Sequence, residues 1–254
     1  MRTVPSDLLT MNLLGLEAPR ALAILLARLG GIEEIYLAEC RPLAPLQKRI
    51  ALGDSEHRVI ERALKQRALT GLPFWDSVLL ELPSSPDAFA LLDAVMMHVS
   101  FRGQEKGLSV ESAIDGGLER LCNEFPTTLG ASLTILSEVR CSDGLKRHLP
   151  MLDFHAFTSA ASQRIVEAVA ERLLPHGAII LESGESYHAY GAQLVSDSEF
   201  RQFMGQAMLF APIVDRAYLA HQSIEGRCAL RLTSGGGKSH VPRVVAVLGG
   251  RIRG

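Results

Sequence analysis

Four residues in the C-terminal half have side chains of the types that can bind metals or phosphates. Asp153 and His155 end the apolar segment Met-Leu-Asp-Phe-His, and side chains two residues apart on a strand point the same way. His188 follows an apolar strand within a polar stretch, and Asp215 ends the segment Pro-Ile-Val-Asp. Two carboxylates suit a hard divalent cation, so the set indicates a metal site. Taken singly, each segment is more typical of a surface strand end or a turn.

Three further polar residues are candidates for binding phosphate groups. Ser186 lies two residues before His188, where a hydroxyl, an imidazole and backbone amides can hold phosphate oxygens. Arg231 alternates with the apolar residues of its strand, so it could bind a triphosphate or a template phosphate, or equally be a plain charge on an edge strand. Lys238 ends the run Ser-Gly-Gly-Gly-Lys, but the phosphate-loop motif requires glycine where Leu232 stands and a helix afterwards. We therefore interpret this run as a flexible loop with a mobile lysine.

The composition sets limits on the class of protein. The 254 residues are 47% hydrophobic and 21% charged, with a net charge of −2, so the whole molecule does not attract nucleic acid by charge alone. The four cysteines form no CxxC pair, which argues against a zinc knuckle or a disulfide framework and suits a reducing cytoplasm. No run of eighteen apolar residues is present, so we expect a cytoplasmic protein with no membrane partner.

The first half of the chain is predicted to be mainly helical. One helix runs to about Leu29, where Gly30-Gly31 stops it, and Asp54 is placed to cap a second. The short apolar stretch Phe74–Leu82 is predicted to be a strand. Further helices are expected after Ser85 and over Ser109–Cys122.

The second half alternates strands and helices in the order β-β-α-β-α-β-β. The predicted strands are Ser132–Val139, Leu149–Phe154, Gly177–Ser183, Arg227–Ser234 and Val241–Leu248. Helices are expected over Ser162–Leu174 and after Ser196, which begins a capping box with Glu199. This pattern favours an α+β or an α/β sandwich, and we expect the α+β class. Helices would pack on one mixed sheet over 129–254, preceded by a mainly helical region over 1–128. One continuous domain is the alternative.

In this order the segments resemble the archaeo-eukaryotic primase superfamily, and the primase-polymerase kind in particular. The resemblance rests on Leu152-Asp153-Phe154-His155, Ser186-Tyr187-His188, Val214-Asp215 and the stretch that continues to Lys238. It covers roughly residues 130–250 and implies an RRM-like, primase-type catalytic core. The family's first motif supplies two carboxylates, and here His155 takes the place of the second.

The resemblance also implies a reaction and its reactants. The protein would be a nucleotidyltransferase of the DNA-directed primase-polymerase type, acting in DNA replication. It would transfer nucleotides to a primer or an initiating nucleotide on a nucleic-acid template. Its partners would be nucleoside triphosphates and single-stranded or primed nucleic acid. Catalysis would depend on Asp153, Asp215 and His188, and Mg²⁺ or Mn²⁺ would be held by Asp153, His155 and Asp215. The nucleotide would contact Ser186, His188, Arg231 and Lys238.

Two other functions are compatible with the same residues. One is a catalytically degenerate primase-like protein that binds nucleic acid or nucleotide as a subunit of a larger complex, with a protein partner on the N-terminal region. The other is an unrelated metal-dependent hydrolase. Imidazole is a poor ligand for Mg²⁺ and a better one for Mn²⁺, so His155 implies either a preference for Mn²⁺ or a weakened site.

Overall fold

The computed structural model describes residues 12–41, 46–98, 100–126, 130–235 and 237–249. Contacts between Cα atoms divide the chain into two compact units. The smaller unit is Leu43–Val99, and the larger combines the described residues of Met1–Pro42 and Ser100–Gly254. The chain thus leaves the larger unit and returns to it. The domain boundary predicted at 128/129 lies outside the described residues.

The described residues confirm the α+β class. The strands are β1 Ile32–Cys40, β2 Lys106–Ser109, β3 Ser132–Cys141, β4 Lys146–His148, β5 Met151–Asp153, β6 Gly177–Glu182, β7 Tyr187–Gly191, β8 Ala229–Arg231 and β9 Arg243–Gly249. They form two sheets in the larger unit. One has the order β2-β1-β3-β4, with β8 also paired to β3, and the other has the order β5-β7-β6-β9. All of these pairings are antiparallel.

Helices belong to both units in the described part of the chain. They are α1 Ala18–Leu29, α2 Leu46–Arg49, α3 Asp54–Thr70, α4 Phe74–Glu81, α5 Ala90–Met96, α6 Val110–Ser112, α7 Leu118–Glu124, α8 Ala160–Leu173, α9 Asp197–Met208 and α10 Arg216–Glu225. A 3-10 turn over Leu82–Ser84 follows α4, and a π turn over Ala113–Gly117 joins α6 to α7. No helix in the described part of the chain has the length and apolar content needed to cross a membrane.

The smaller unit contains one element that the sequence led us to assign wrongly. Phe74–Leu82 is not a strand, because Phe74–Glu81 forms helix α4. Its Val78 packs with Val59 and Ala63 of α3 in a small apolar core. A short apolar run suits a buried strand or a buried helix equally well, and here packing against α3 decides for the helix.

Strand β1 is the main element that the sequence did not reveal. It lies in the first half of the chain, yet it pairs with both β2 and β3 inside the five-stranded sheet. Its pairing with β3 shifts register between Ile32 and Glu34 and again between Ile35 and Leu37. Such irregularities break the strict alternation by which a strand is recognised in sequence.

A polar network around the buried His148 joins β3 and β4 to α9 and to Cys228, the residue before β8. The amide of Cys228 donates to Ser137 Oγ at 2.8 Å, and Ser137 Oγ lies 3.2 Å from His148 Nδ1. On the other side of the ring, His148 Nε2 lies 2.8 Å from a carboxylate oxygen of Asp197, and the ring stacks on Phe200. A neutral imidazole with its proton on Nε2 satisfies both bonds. Burial lowers the pKa of His148, which favours that neutral form.

Helix α10 is held at both ends. Asp215 is its N-cap, and its last residue, Glu225, is buried. The Glu225 carboxylate accepts hydrogen bonds from Ser100 Oγ at 3.1 Å, from the Phe101 amide at 3.2 Å and from the Arg227 guanidinium at 3.3 Å. The segment by which the chain re-enters the larger unit is therefore fastened to the end of this helix.

Candidate functional site

The residues singled out from the sequence surround one cavity of about 510 Å³ in the larger unit. Both sheets contribute to its walls, through Thr134 and Arg231 on one side and Asp153 and His188 on the other. The sequence-predicted residues in its lining are Asp153, His155, Ser186, His188, Asp215, Arg231 and Lys238. The fold thus brings all seven together, although they come from five separate segments of the chain.

The two acids are held next to each other by their main chains. Asp153 ends β5, and its carbonyl oxygen accepts a hydrogen bond from the Asp215 amide at 2.9 Å. A β-bridge between Phe154 and Val214 continues this pairing by one residue on each side. The apolar residues before each acid are buried, so burial of the two segments places both carboxylates at the edge of the core.

The carboxylate of Asp215 has two neighbours. One oxygen accepts a hydrogen bond from the Tyr218 amide at 3.0 Å, which caps helix α10. The other lies 4.0 Å from Nδ1 of His155, a half-exposed ring. His155 is therefore close to the acid pair, beyond direct hydrogen-bond distance of Asp215.

His188 lies under Asp153. The two residues are direct cross-strand partners in β7 and β5, and His188 Nε2 is 3.6 Å from Asp153 Oδ1. The imidazole is buried, and its Nδ1 has no hydrogen-bond partner among the described residues. Burial, with the positive charges of Arg231 and Lys238, lowers the pKa of His188 to about 3. The ring is therefore neutral at physiological pH.

Burial raises the pKa of Asp153 to about 7, and the negative charge of Asp215 adds to the shift. Arg231 and Lys238 oppose this shift without cancelling it. A divalent cation between the two acids would remove the penalty on their joint ionisation, so the pair fits such an ion. Within the described ranges, no group of three or more His, Cys, Asp or Glu side chains is arranged as a metal site. Mg²⁺ commonly binds through one or two carboxylates, with water and substrate phosphates completing its shell.

Arg231 supplies positive charge to the cavity from β8. Its guanidinium donates to the carbonyl oxygens of Thr233, His240 and Ser183, at 2.7 Å for the last two. Carbonyl oxygens orient the group and leave its net charge in place. Lys238, by contrast, forms an ion pair with the exposed Glu185 at the cavity, and the mobility expected of this lysine stays a prediction.

The Ser186 hydroxyl forms hydrogen bonds with the backbone of the segment that follows Asp153. The hydroxyl donates to the Phe154 carbonyl and accepts from the Ala156 amide at 3.2 Å. It therefore holds the segment that follows Asp153. Contact between Ser186 and a phosphate stays a prediction.

Phe157 is a cavity residue that the sequence did not single out. It lines the cavity, and its side chain is 82% exposed. A lone aromatic two residues after His155 carries no pattern of its own, so only the fold reveals its position.

Comparison with known proteins places this site within a family. The archaeo-eukaryotic primase 1D-like (AEP-like) family model matches residues 117–243, which is half of the 254-residue chain. The matched region contains all seven of the sequence-predicted cavity residues. No curated protein and no solved structure matches the chain. The match over half of the chain, on the segments that build the cavity, shows that the chain belongs to the archaeo-eukaryotic primase-like family.

Proposed function

We propose that the protein is a metal-dependent nucleotidyltransferase that adds nucleotides to a primer or an initiating nucleotide on a nucleic-acid template. The observation that carries this proposal is the pair Asp153 and Asp215, fixed side by side in a cavity that also contains the positive charge of Arg231. Carboxylates suit a divalent cation, and a neighbouring guanidinium suits a triphosphate. Both features are needed to bind a nucleotide for phosphoryl chemistry.

In this proposal, some cavity residues bind the metal ion and others bind the phosphates of the nucleotide. Asp153 and Asp215 would hold Mg²⁺ or Mn²⁺, and the ion would neutralise charge on the reacting phosphate. Arg231 would attract and orient the triphosphate, because its charge is not cancelled by a bonded carboxylate. Lys238 would join it after leaving Glu185. The neutral ring of His188 would donate one hydrogen bond to a phosphate oxygen.

His155 tunes the choice of metal in this proposal. It stands 4.0 Å from Asp215 and is half exposed, so a small rotation of the ring brings its nitrogen towards an ion on the acid pair. An imidazole ligand suits Mn²⁺ better than Mg²⁺. We therefore expect activity to be higher with Mn²⁺.

Nucleotide incorporation tests the proposal directly. The purified chain is incubated with a primed DNA template, labelled deoxynucleotides or ribonucleotides, and either Mg²⁺ or Mn²⁺. The proposal requires template-dependent extension that stops when a chelator is added. If neither metal supports extension or primer synthesis while single-stranded DNA still binds, the enzyme assignment is wrong.

A second candidate is a primase-like protein that binds nucleotide or nucleic acid without turnover. It is favoured by the absence of a three-ligand metal group in the part of the chain that the structure describes. His155 in place of the family's second carboxylate also favours this candidate, because a site with one fewer negative charge binds a divalent cation more weakly. Binding that persists in a chelator, with no incorporation under any metal, would establish this alternative.

In that case the smaller unit is the part that would bind a protein partner. Several of its large apolar side chains are exposed, including Leu69 at 87%, Met96 at 70% and Phe89 at 64%. A partner subunit that contacts these side chains would protect them from surface labelling in the complex.

A further inference from the structure

Phe157 combines strong exposure with a position on the candidate site. Its side chain is 82% exposed, and it lines the cavity that contains Asp153 and Arg231. Among the described residues that line this cavity, it is the one exposed Phe, Tyr or Trp side chain. A single exposed apolar residue has no significance by itself, so the position of the loop that carries it is the next question.

The loop is held on both sides of Phe157. Before it, the Ser186 hydroxyl accepts a hydrogen bond from the Ala156 amide at 3.2 Å. After it, the buried Tyr187 hydroxyl accepts from the Ser159 amide at 3.0 Å and donates to the Ser159 carbonyl at 3.1 Å. Both clamping side chains come from one short segment at the start of β7. These bonds hold the backbone on both sides of residue 157, and the Phe157 ring lines the cavity.

We propose that Phe157 stacks on a nucleobase bound at the mouth of this cavity. The charge of Arg231 suits phosphates, while the exposed ring suits the flat apolar face of a base, so the two together match the two ends of a nucleotide. Aromatic rings stack on all four bases, which suits a protein that must accept any sequence. The inference rests on the proposed nucleotide function and identifies a residue that positions the substrate.

The base can belong to the incoming nucleotide or to the nucleic-acid strand, and two probes distinguish these sources. The first is ATP with Mn²⁺, and the second is single-stranded oligothymidylate. Inorganic triphosphate with Mn²⁺ serves as a third probe, because it carries the phosphates of a nucleotide and no base. Dissociation constants are measured for each probe with the full chain.

Four variants distinguish stacking by the ring from loss of apolar contact and from changes in folding. Phe157→Leu keeps an apolar side chain without a ring, Phe157→Ala removes both, and Phe157→Trp restores a larger ring. Leu209→Ala is the matched control, since Leu209 is 83% exposed and lies outside the cavity lining. Circular dichroism and urea unfolding check that each variant is folded.

We expect Phe157→Ala and Phe157→Leu to weaken binding of at least one base-containing probe about tenfold, a typical loss for one stacked base. The probe that is affected identifies whose base stacks. Inorganic triphosphate should bind equally well to all variants, and Leu209→Ala should match the wild type. In Phe157→Trp, the new indole fluorescence should be quenched by the affected probe, beyond the signal from Trp75 in the wild type.

Three results would overturn the inference. They are equal affinity of Phe157→Ala and wild type for both base-containing probes, equal weakening of inorganic triphosphate, and failure of the wild type to bind either base-containing probe. These measurements need no turnover, so a chain that stacks a base but incorporates nothing would refute only the proposed enzyme activity. A chain that incorporates nucleotides with Phe157→Ala affinities unchanged would refute only the stacking role.

Discussion

The amide of Asp215 donates a hydrogen bond to the carbonyl oxygen of Asp153 at 2.9 Å, which fixes the two acids of the candidate site by main-chain atoms alone. Side-chain substitution leaves this bond in place. The contribution of each carboxylate to metal binding can therefore be tested without separating the two segments.

Replacing either acid by its amide should abolish nucleotide incorporation. Asp153→Asn and Asp215→Asn each remove one negative charge from a two-carboxylate site, and we expect a loss of about 100-fold or more, the scale of removing one major electrostatic group from an active site. Mn²⁺ affinity, measured by electron paramagnetic resonance, should fall in parallel. Asp143→Asn, on the exposed turn between β3 and β4, is the control and should behave as wild type. Unchanged turnover in Asp153→Asn or Asp215→Asn would contradict the metal assignment.

Asp215 should also show a structural effect that depends on the substituent. Its side chain caps α10 through the Tyr218 amide, and asparagine caps helices about as well as aspartate. Asp215→Ala should therefore lower the free energy of unfolding by about 1 kcal/mol, while Asp215→Asn stays near the wild type. Urea unfolding curves give both values. Equal stability of the alanine and asparagine variants would argue against the capping role.

His155→Asp should change the metal preference. The substitution supplies the second carboxylate that the family's first motif normally carries, and a carboxylate suits Mg²⁺ better than an imidazole does. We expect the ratio of Mn²⁺-supported to Mg²⁺-supported incorporation to fall by about tenfold, on the basis that ligand type decides between these ions. His155→Asn is the matched control without the charge. The same ratio in wild type and His155→Asp would show that residue 155 does not contact the ion.

Arg231 should contribute to stability as well as to nucleotide binding. Arg231→Met leaves three carbonyl oxygens without their donor, so the free energy of unfolding should fall by roughly 1–3 kcal/mol. ATP affinity should fall with it, and Arg231→Lys should recover part of the affinity through its charge. Arg243→Met removes an exposed ion pair with Glu17 and should change stability by less than about 1 kcal/mol. Comparable losses in the Arg231 and Arg243 methionine variants would contradict the role of these three bonds.

The buried His148 predicts how stability responds to acid. Burial lowers its pKa below the usual 6.5, so the folded protein keeps the ring neutral where the unfolded chain takes up a proton. The stabilisation is complete above about pH 6.5 and is lost as the pH falls below that value, with a slope of at most about 1.4 kcal/mol per pH unit from this residue. Urea unfolding at several pH values from 7.5 to 5 measures the slope. His148→Gln should flatten it, and an unchanged slope in this variant would assign the effect to other groups.

Much of the site was predictable from local patterns. Asp153 and Asp215 each follow buried apolar residues, so the sequence alone placed both acids at the edge of the core. The helix predicted over Ser162–Leu174 is observed over Ala160–Leu173, and the predicted capping box of Ser196 and Glu199 is confirmed. These features depend on residues within a few positions of each other, which is the range over which periodicity and capping operate.

What could not be predicted depends on contacts between distant segments. Strand β1 is irregular where it meets β3, so its sequence lacks the alternation of a strand. The hydroxyl of Ser186 forms hydrogen bonds with the backbone of Phe154 and Ala156, and Lys238 forms an ion pair with Glu185. Both partnerships arise only once the sheets have formed, and neither leaves a trace in the spacing of the residues involved.

The anchoring of α10 at both ends has a mechanical consequence. A ten-residue helix is about 15 Å long and resists bending, so a displacement at one end is transmitted to the other. One end carries Asp215, and the other, at Glu225, is fastened to Ser100 and Phe101, where the chain returns from the smaller unit. A displacement of Ser100 and Phe101, at the start of the larger unit's second segment, would therefore reach Asp215 through α10.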